Sequence, residues 1–120
     1  GLVSENKRLA SPASVDSIPS SAMQEDHVSM GWSAARKLRK VVENLARILA
    51  IELVTASRAI EFRKGLQPSP AASSVIKALR EVVPGVGPDR WLSPELEAAV
   101  ALVQTGKVES AARAVVKNLS

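Results

Sequence analysis

Residues 25–27 of the chain are a glutamate, an aspartate and the only histidine, within the stretch SIPSSAMQEDHVSMG at positions 17–31. Carboxylates and imidazoles are the side chains that most often transfer protons, and both bind metal ions. Ser21 followed three residues later by Gln24 is typical of a capping box, which predicts a helix beginning at Ser21 with the two acids in its first turns. The stretch therefore either carries out chemistry or stabilises a helix terminus.

Glu25, Asp26 and His27 do not form a site among themselves if that helix is present. Successive helical residues point in different directions, so the three cannot converge on one metal ion or relay a proton. The sequence has no cysteine and no His-Glu-x-x-His motif, which disfavours a zinc site. A triad of Ser29, His27 and Asp26 is disfavoured because no nucleophile-elbow pattern surrounds it. Two interpretations remain: Glu25 points into a cleft built with other parts of a larger protein, or it only stabilises the helix.

Composition indicates a soluble helical protein. The chain has 120 residues, 46% of them apolar and only 2% aromatic, so its core must be built mainly from aliphatic side chains. No apolar run is long enough to span a bilayer and the start lacks the apolar core of a signal peptide, so we expect an intracellular, cytoplasmic protein. The net charge of +4 is concentrated in the run at 36–40, RKLRK, without interleaved aromatic residues. That run is typical of the solvated face of an amphipathic helix rather than of a nucleic-acid site.

The pattern divides the chain into three segments. Residues 1–20 are expected to form an ordered loop or extended lead-in because Ser and Pro are frequent and no period is sustained. Residues 21–65 hold the helix start and a long helix from Gly31 to Lys64, with Gly65 as its C-cap. Residues 66–120 hold three helices, starting at Ser69–Pro70, at Ser93–Pro94 and at 108. One face of the long helix carries Trp32, Ala35, Leu38, Val42, Leu45, Leu49, Leu53, Ala56 and Ile60.

The long helix is too long for a compact domain of this size. It would extend about 50 Å at 1.5 Å per residue, whereas a 120-residue domain is roughly 35 Å across. The segment at 47–56, RILAIELVTA, is apolar on more than one side. We therefore expect a larger bundle made from further chain, other subunits or both, with a kink near Gly31 or a helix folded back at mid-length as the alternative.

Three stretches resemble the histidine ammonia-lyases of the aromatic amino acid ammonia-lyase family. They are LVSENKRLASPASVDSIPSSAMQEDHVSMG at 2–31, LAIELVTASRAIEFRKGLQPSP at 49–70 and VPGVGPDRWLSPELE at 83–97. The resemblance implies an all-α fold, specifically a long-helix bundle segment of an aspartase/fumarase-like helical tetramer. It implies elimination of ammonia from L-histidine to give urocanate, in active sites formed by more than one subunit.

The resemblance also implies a cofactor that this chain does not supply. The family uses a methylidene-imidazolone group (MIO) made from an internal Ala-Ser-Gly, together with a tyrosine base, and the chain has neither that triplet nor any tyrosine. Its nearest sequence, Ala-Ala-Ser-Ser at 71–74, lacks the glycine. We therefore expect the C-terminal part of a longer lyase, inactive alone, whose partners are L-histidine, the remainder of the lyase chain and further copies in a tetramer joined through the long helix.

Individual residues carry over from the resemblance. Glu25 matches the family glutamate that faces the substrate imidazole, where the related lyases and mutases for phenylalanine and tyrosine have glutamine. Gln24 matches the adjacent substrate-binding glutamine, His27 is expected to be structural, and Met23 departs from the usual asparagine. A non-catalytic helical interaction or oligomerisation module remains the alternative, and a basic nucleic-acid binder a more distant one.

Overall fold

The computed structural model describes residues 1–116, and its regular elements are helical throughout that range. The all-α prediction is therefore confirmed. Two short 3-10 turns, Ala13–Val15 and Ser21–Met23, precede the long helix. The α-helices are α1 (Leu2–Leu9), α2 (Gly31–Glu61), α3 (Pro70–Arg80), α4 (Ser93–Gln104) and α5 (Lys107–Arg113).

The chain forms two compact units, Gly1–Leu45 and Ala46–Ser120. In the first unit, α1 is held by Asn44, which is 1% exposed and donates from Nδ2 to Glu5 Oε2 and to Asn6 Oδ1, both at 2.9 Å. Residues 2–9 were expected in the loop or extended lead-in and are instead helical. The helix is held by the hydrogen bonds of Asn44 to Glu5 and Asn6, the Asn44 clamp. These partners are 39 and 38 positions from Asn44 in the sequence, so no local pattern reveals the contact.

The long helix begins at Gly31, so the prediction of a helix start at Ser21 is wrong. Ser21 has a φ of +53°, which is incompatible with the extended backbone of an N-cap residue. The Ser29 hydroxyl instead accepts the Gly31 amide at 3.3 Å, and the Met30 carbonyl accepts the Ala34 amide at 3.0 Å. The first of these bonds pairs a first-turn donor that has no partner within the helix, and the second is the first hydrogen bond of the helix itself.

At its other end α2 stops at Glu61, three residues before the predicted Lys64. Gly65 has the predicted left-handed backbone, with a φ of +86°, but it lies in a separate turn closed by the Leu66 amide on the Arg63 carbonyl at 3.3 Å. Between Gly31 and Glu61 the helix is one continuous element, so the folded-back alternative is wrong.

In the second unit, α3 starts as predicted, because the Ser69 hydroxyl accepts the Ala72 amide at 3.3 Å and Pro70 follows it. Helix α4 begins at Ser93, and no side-chain hydrogen bond caps its N-terminus. Helix α5 was expected over 108–119 and occupies Lys107–Arg113; residues 117–119 lie outside the described range. The buried apolar core consists of Ala50, Val54, Leu79, Val83, Ala99, Val100 and Leu102.

Two carboxylates fix the loop between α3 and α4. Glu61 accepts from Arg80 Nε and, at 3.3 Å, from the Val86 amide. Glu95 accepts from Arg58 Nη2 at 3.1 Å and from Arg90 Nη2 at 3.2 Å, and Arg90 also donates to the Gly85 carbonyl. The loop is thus tied to α2 and α4 by charge-assisted hydrogen bonds.

Large apolar side chains remain exposed on both parts of α2. They include Leu38, Val42 and Leu45 in the first unit and Leu49 and Ile51 in the second. The residues that α2 buries are instead Asn44, Ala50, Val54 and Ser57, so most of the predicted apolar face is not covered within residues 1–116. The two tryptophans, Trp32 and Trp91, are 76% and 81% exposed. Over the described range, no helix combines the length and hydropathy that crossing a bilayer requires.

Candidate functional site

A closed loop at residues 17–28 presents the acidic residues singled out by the sequence. Its inner closure pairs Ser20 with Glu25: the Ser20 amide donates to the Glu25 carbonyl at 2.8 Å, and the Glu25 amide donates to the Ser20 carbonyl at 3.2 Å. Its outer closure is the Val28 amide, which donates to the Ser17 hydroxyl at 3.0 Å. Both closures join residues that no helical or strand period relates, and together they define the loop.

The tip of the loop has an unusual backbone. Ser21, Ala22 and Met23 have φ values of +53°, +55° and +70°, the left-handed region that residues with a Cβ rarely adopt. Each such residue costs about 1–2 kcal/mol, so the conformation persists only because the surrounding bonds impose it. The Gln24 amide closes the tip on the Ser21 carbonyl at 3.1 Å. Strain of this kind concentrates at sites where a side chain has to be presented in a fixed position.

One carboxylate oxygen of Glu25 accepts a hydrogen bond from the turn, and the other is open, with no hydrogen bond from the described chain. The Ser20 hydroxyl donates to Glu25 Oε2 at 3.0 Å, and Oε1 has no hydrogen bond to the rest of the described chain. The side chain is exposed. A carboxylate presented in this way can accept a charge-assisted hydrogen bond from a ring N–H or an ammonium group.

Gln24 lies beside Glu25 at the same end of the turn, and its side chain is exposed. The capping role expected for Gln24 is wrong, because the residue is followed by six residues of non-helical chain before α2 begins. An exposed amide next to an exposed carboxylate offers both donors and an acceptor to a bound molecule. Gln24 and Glu25 are thus adjacent, exposed polar residues.

His27 occupies a different place from Glu25. It lines a cavity of about 390 Å³ in the first unit, together with Asp16, Ser14 and Met30. Residues 25–27 are extended or irregular rather than helical, so helical spacing does not determine the directions of their side chains. Within residues 1–116, no three His, Asp or Glu side chains are grouped so that they could hold a metal ion.

Ser17 and Ser20 are residues that sequence reasoning missed. Their hydroxyls bond to groups 11 and 5 positions away, so neither pairing follows from helical or strand spacing. The general tendency of serine to bond nearby backbone and polar groups is the one signal that the sequence offered. The Ala-Ala-Ser-Ser sequence lies in the first turns of α3, where the Ser74 hydroxyl donates to the Ala111 carbonyl at 2.7 Å.

Comparison with known proteins identifies the family to which the chain is similar. The family model for aromatic amino acid lyases matches residues 1–81. The chain is 65% identical to histidine ammonia-lyase of Streptomyces avermitilis over 115 residues, which are 95% of this chain and 22% of that protein. It is 54% identical to histidine ammonia-lyase of Symbiobacterium thermophilum, again over 95% of this chain and 22% of that protein. The chain therefore spans about a fifth of the length of the curated relatives that it matches.

Solved structures agree on the fold. Histidine ammonia-lyase from Trypanosoma cruzi matches with a TM-score of 0.88 and 43% identity, over 96% of this chain and 23% of that one. Tyrosine aminomutase from Streptomyces globisporus matches with a TM-score of 0.88 and 34% identity, over 98% of this chain and 22% of that one. The resemblance found in the sequence is confirmed, and the chain belongs to the aromatic amino acid lyase family.

Proposed function

We propose that this chain is the C-terminal part of a histidine ammonia-lyase, which eliminates ammonia from L-histidine to give urocanate. The observation that carries the proposal is Glu25, presented by a closed and strained turn with one carboxylate oxygen open. The 65% identity to a histidine ammonia-lyase supports the same substrate. Because tyrosine aminomutase shares the fold, the fold alone does not select histidine.

In this proposal Glu25 is the catalytic residue of the chain and also binds substrate. Its open oxygen accepts a hydrogen bond from an imidazole N–H and shares a proton with the ring, whose ordinary pKa lies close to neutrality. Gln24 binds the substrate beside it through its amide group. A phenyl ring has no N–H or O–H to donate, so a carboxylate here favours histidine over phenylalanine.

The family's MIO cofactor does not fit residues of this chain. The sequence lacks Ala-Ser-Gly, and Ala-Ala-Ser-Ser at 71–74 lies within a helix with the Ser74 hydroxyl engaged. The electrophile would therefore come from the remaining part of the lyase polypeptide. The proposal assigns to this chain only the recognition of the imidazole and proton sharing with it.

We extend the proposal to assembly and location. The exposed apolar side chains of α2, from Leu38 to Ile51, support a homotetramer joined through this helix. The remainder of the lyase chain is the other proposed partner, and the cytoplasm is the proposed compartment. The same exposed side chains also suit the alternative, a non-catalytic helical oligomerisation module.

The test is Glu25→Gln in the complete lyase. Glutamine keeps the size of the side chain but cannot take up the proton, so we expect turnover on histidine to fall roughly a hundredfold or more. The measurement is the initial rate of urocanate formation by absorbance. Asp26→Asn is the matched control, because it neutralises the neighbouring exposed carboxylate and should leave the rate close to that of the unmodified enzyme. A Glu25→Gln enzyme with unchanged turnover would remove Glu25 from the site.

A further inference from the structure

We infer that Ser20 is a positioning residue that fixes the carboxylate of Glu25 for the imidazole. The inference rests on the proposed function, since it needs Glu25 to contact the substrate. Its basis is the hydrogen bond from the Ser20 hydroxyl to Glu25 Oε2 at 3.0 Å. Ser20 does not itself touch the substrate; it acts through Glu25.

The backbone places the two side chains so that this bond can form. Ser20 and Glu25 are paired as an isolated antiparallel bridge, with both of their amide-to-carbonyl bonds present at 2.8 and 3.2 Å. Residues directly opposite in such a pair have their Cβ atoms about 5 Å apart on the same side. The short serine side chain therefore reaches the nearer carboxylate oxygen.

Ser20 is also the single side chain in the described part of the protein that holds the Glu25 carboxylate. No Arg or Lys of residues 1–116 forms an ion pair with Glu25. A glutamate has three side-chain torsions, and an exposed one samples many orientations unless a partner holds it. With Oε2 bound to the serine, Oε1 is directed as the open acceptor before substrate arrives, which is the preorganisation that efficient catalysis requires.

The hydroxyl and the backbone of Ser20 have separable roles. The bridge to Glu25 uses only main-chain atoms, so it survives replacement of the side chain. Ser20→Ala thus removes the carboxylate contact and leaves the turn closed, whereas Ser20→Thr keeps the hydroxyl. Ser21→Ala is the matched control, since Ser21 is the next residue, is exposed and has no side-chain hydrogen bond among residues 1–116.

The experiment measures kcat and KM for histidine in the complete lyase, with Ser20→Ala made both alone and together with Glu25→Gln. We expect Ser20→Ala alone to lower kcat/KM about tenfold, the scale of one hydrogen bond to a charged group. We expect Ser20→Thr and Ser21→Ala to stay within about twofold of the unmodified enzyme. In the Glu25→Gln background, Ser20→Ala should cause no further loss, because the carboxylate through which it acts is gone.

The outcomes separate this inference from the proposed function. An equal loss from Ser20→Ala in both backgrounds, or no rescue by threonine, would show a merely structural role and overturn the inference. Full activity of Ser20→Ala beside an impaired Glu25→Gln would overturn the inference alone. Full activity of Glu25→Gln would overturn both. If Ser20→Ala does not fold, Ser20→Cys, which has a similar size and a weaker donor, takes its place under the same criteria.

Discussion

At the scale of single residues, the turn at 21–23 has a left-handed backbone that its own residue types do not favour. Met23, at a position where the resemblance implies asparagine, has a φ of +70°. Serine, alanine and methionine have no preference for left-handed backbone, and the conformation is imposed by the bridge between Ser20 and Glu25. The sequence identifies Glu25 because its residue type matches a family position. The hydrogen bond that Ser20 donates to it is apparent only from the structure.

The backbone of Met23 leads to a prediction about stability. Asparagine adopts left-handed φ values more readily than methionine, so Met23→Asn should stabilise the protein by about 0.5–1 kcal/mol. Met23→Ile should destabilise it, because a β-branched side chain is the least compatible with this backbone. The measurement is the midpoint of chemical denaturation of the lyase.

Ile18→Asn is the control for Met23→Asn, because Ile18 is exposed, lies in the same loop and does not have a positive φ. Asparagine at position 18 gains nothing from the backbone and should not raise the midpoint. A Met23→Asn protein that is no more stable than the unmodified one would show that the loop does not hold residue 23 in the left-handed region.

At the scale of elements, predictions held where local chemistry sets a boundary and were wrong where distant contacts do. The Ser69–Pro70 start of α3 was predicted correctly, because a capping hydroxyl and a proline at N1 act within one turn. Helix α1 and the late start of α2 were missed. Both depend on contacts across the chain: the Asn44 clamp on Glu5 and Asn6, and the closures of the 17–28 loop.

The ion pairs that fix the loop between α3 and α4 lead to a prediction about pH. The hydrogen bond from Arg80 lowers the pKa of Glu61 below its ordinary value of 4.5, and the hydrogen bond from Arg90 does the same to the pKa of Glu95. A lowered folded-state pKa means that the unfolded chain binds protons more readily. The stabilisation is therefore fully present above about pH 4.5 and is lost as the pH falls through the lower, folded-state pKa values.

The measurement is the urea midpoint of the chain between pH 7 and pH 3. We expect the urea midpoint of the unmodified chain to fall more steeply below pH 4.5 than that of Glu95→Gln. The variant should have a lower midpoint at pH 7, and its midpoint should depend less on pH in acid. Glu52→Gln is the control, because Glu52 is exposed and has no ion pair within the described range. Identical acid profiles for Glu95→Gln and the unmodified chain would contradict the prediction.

At the scale of the whole molecule, the exposed apolar side chains of α2 support the proposed tetramer. Val42, 57% exposed, is a suitable probe because it lies within the helix and away from the 17–28 loop. Val42→Glu in the complete lyase should lower the tetramer fraction, since burying an unpaired carboxylate costs several kcal/mol. Sedimentation velocity measures the fraction. Val42→Leu preserves the apolar contact and should assemble normally; a fully tetrameric Val42→Glu enzyme would place the interface elsewhere.

The isolated chain of 120 residues should not convert histidine to urocanate. It has no Ala-Ser-Gly from which the MIO group could form and no tyrosine to act as a base. The measurement is urocanate absorbance after addition of histidine, with the complete lyase as the positive control. Histidine-dependent absorbance from the isolated chain would show that its own residues suffice for the elimination.

The two exposed tryptophans give the protein an intrinsic optical reporter. With no tyrosine in the sequence, ultraviolet fluorescence comes almost entirely from Trp32 and Trp91. Each compact unit contains one of them, and both indoles face solvent. Emission from the separate chain should therefore resemble that of free tryptophan in water, and covering either indole during assembly should move that residue's emission to shorter wavelengths. Trp32→Phe and Trp91→Phe then assign each shift to one unit, so that association can be followed without any added label.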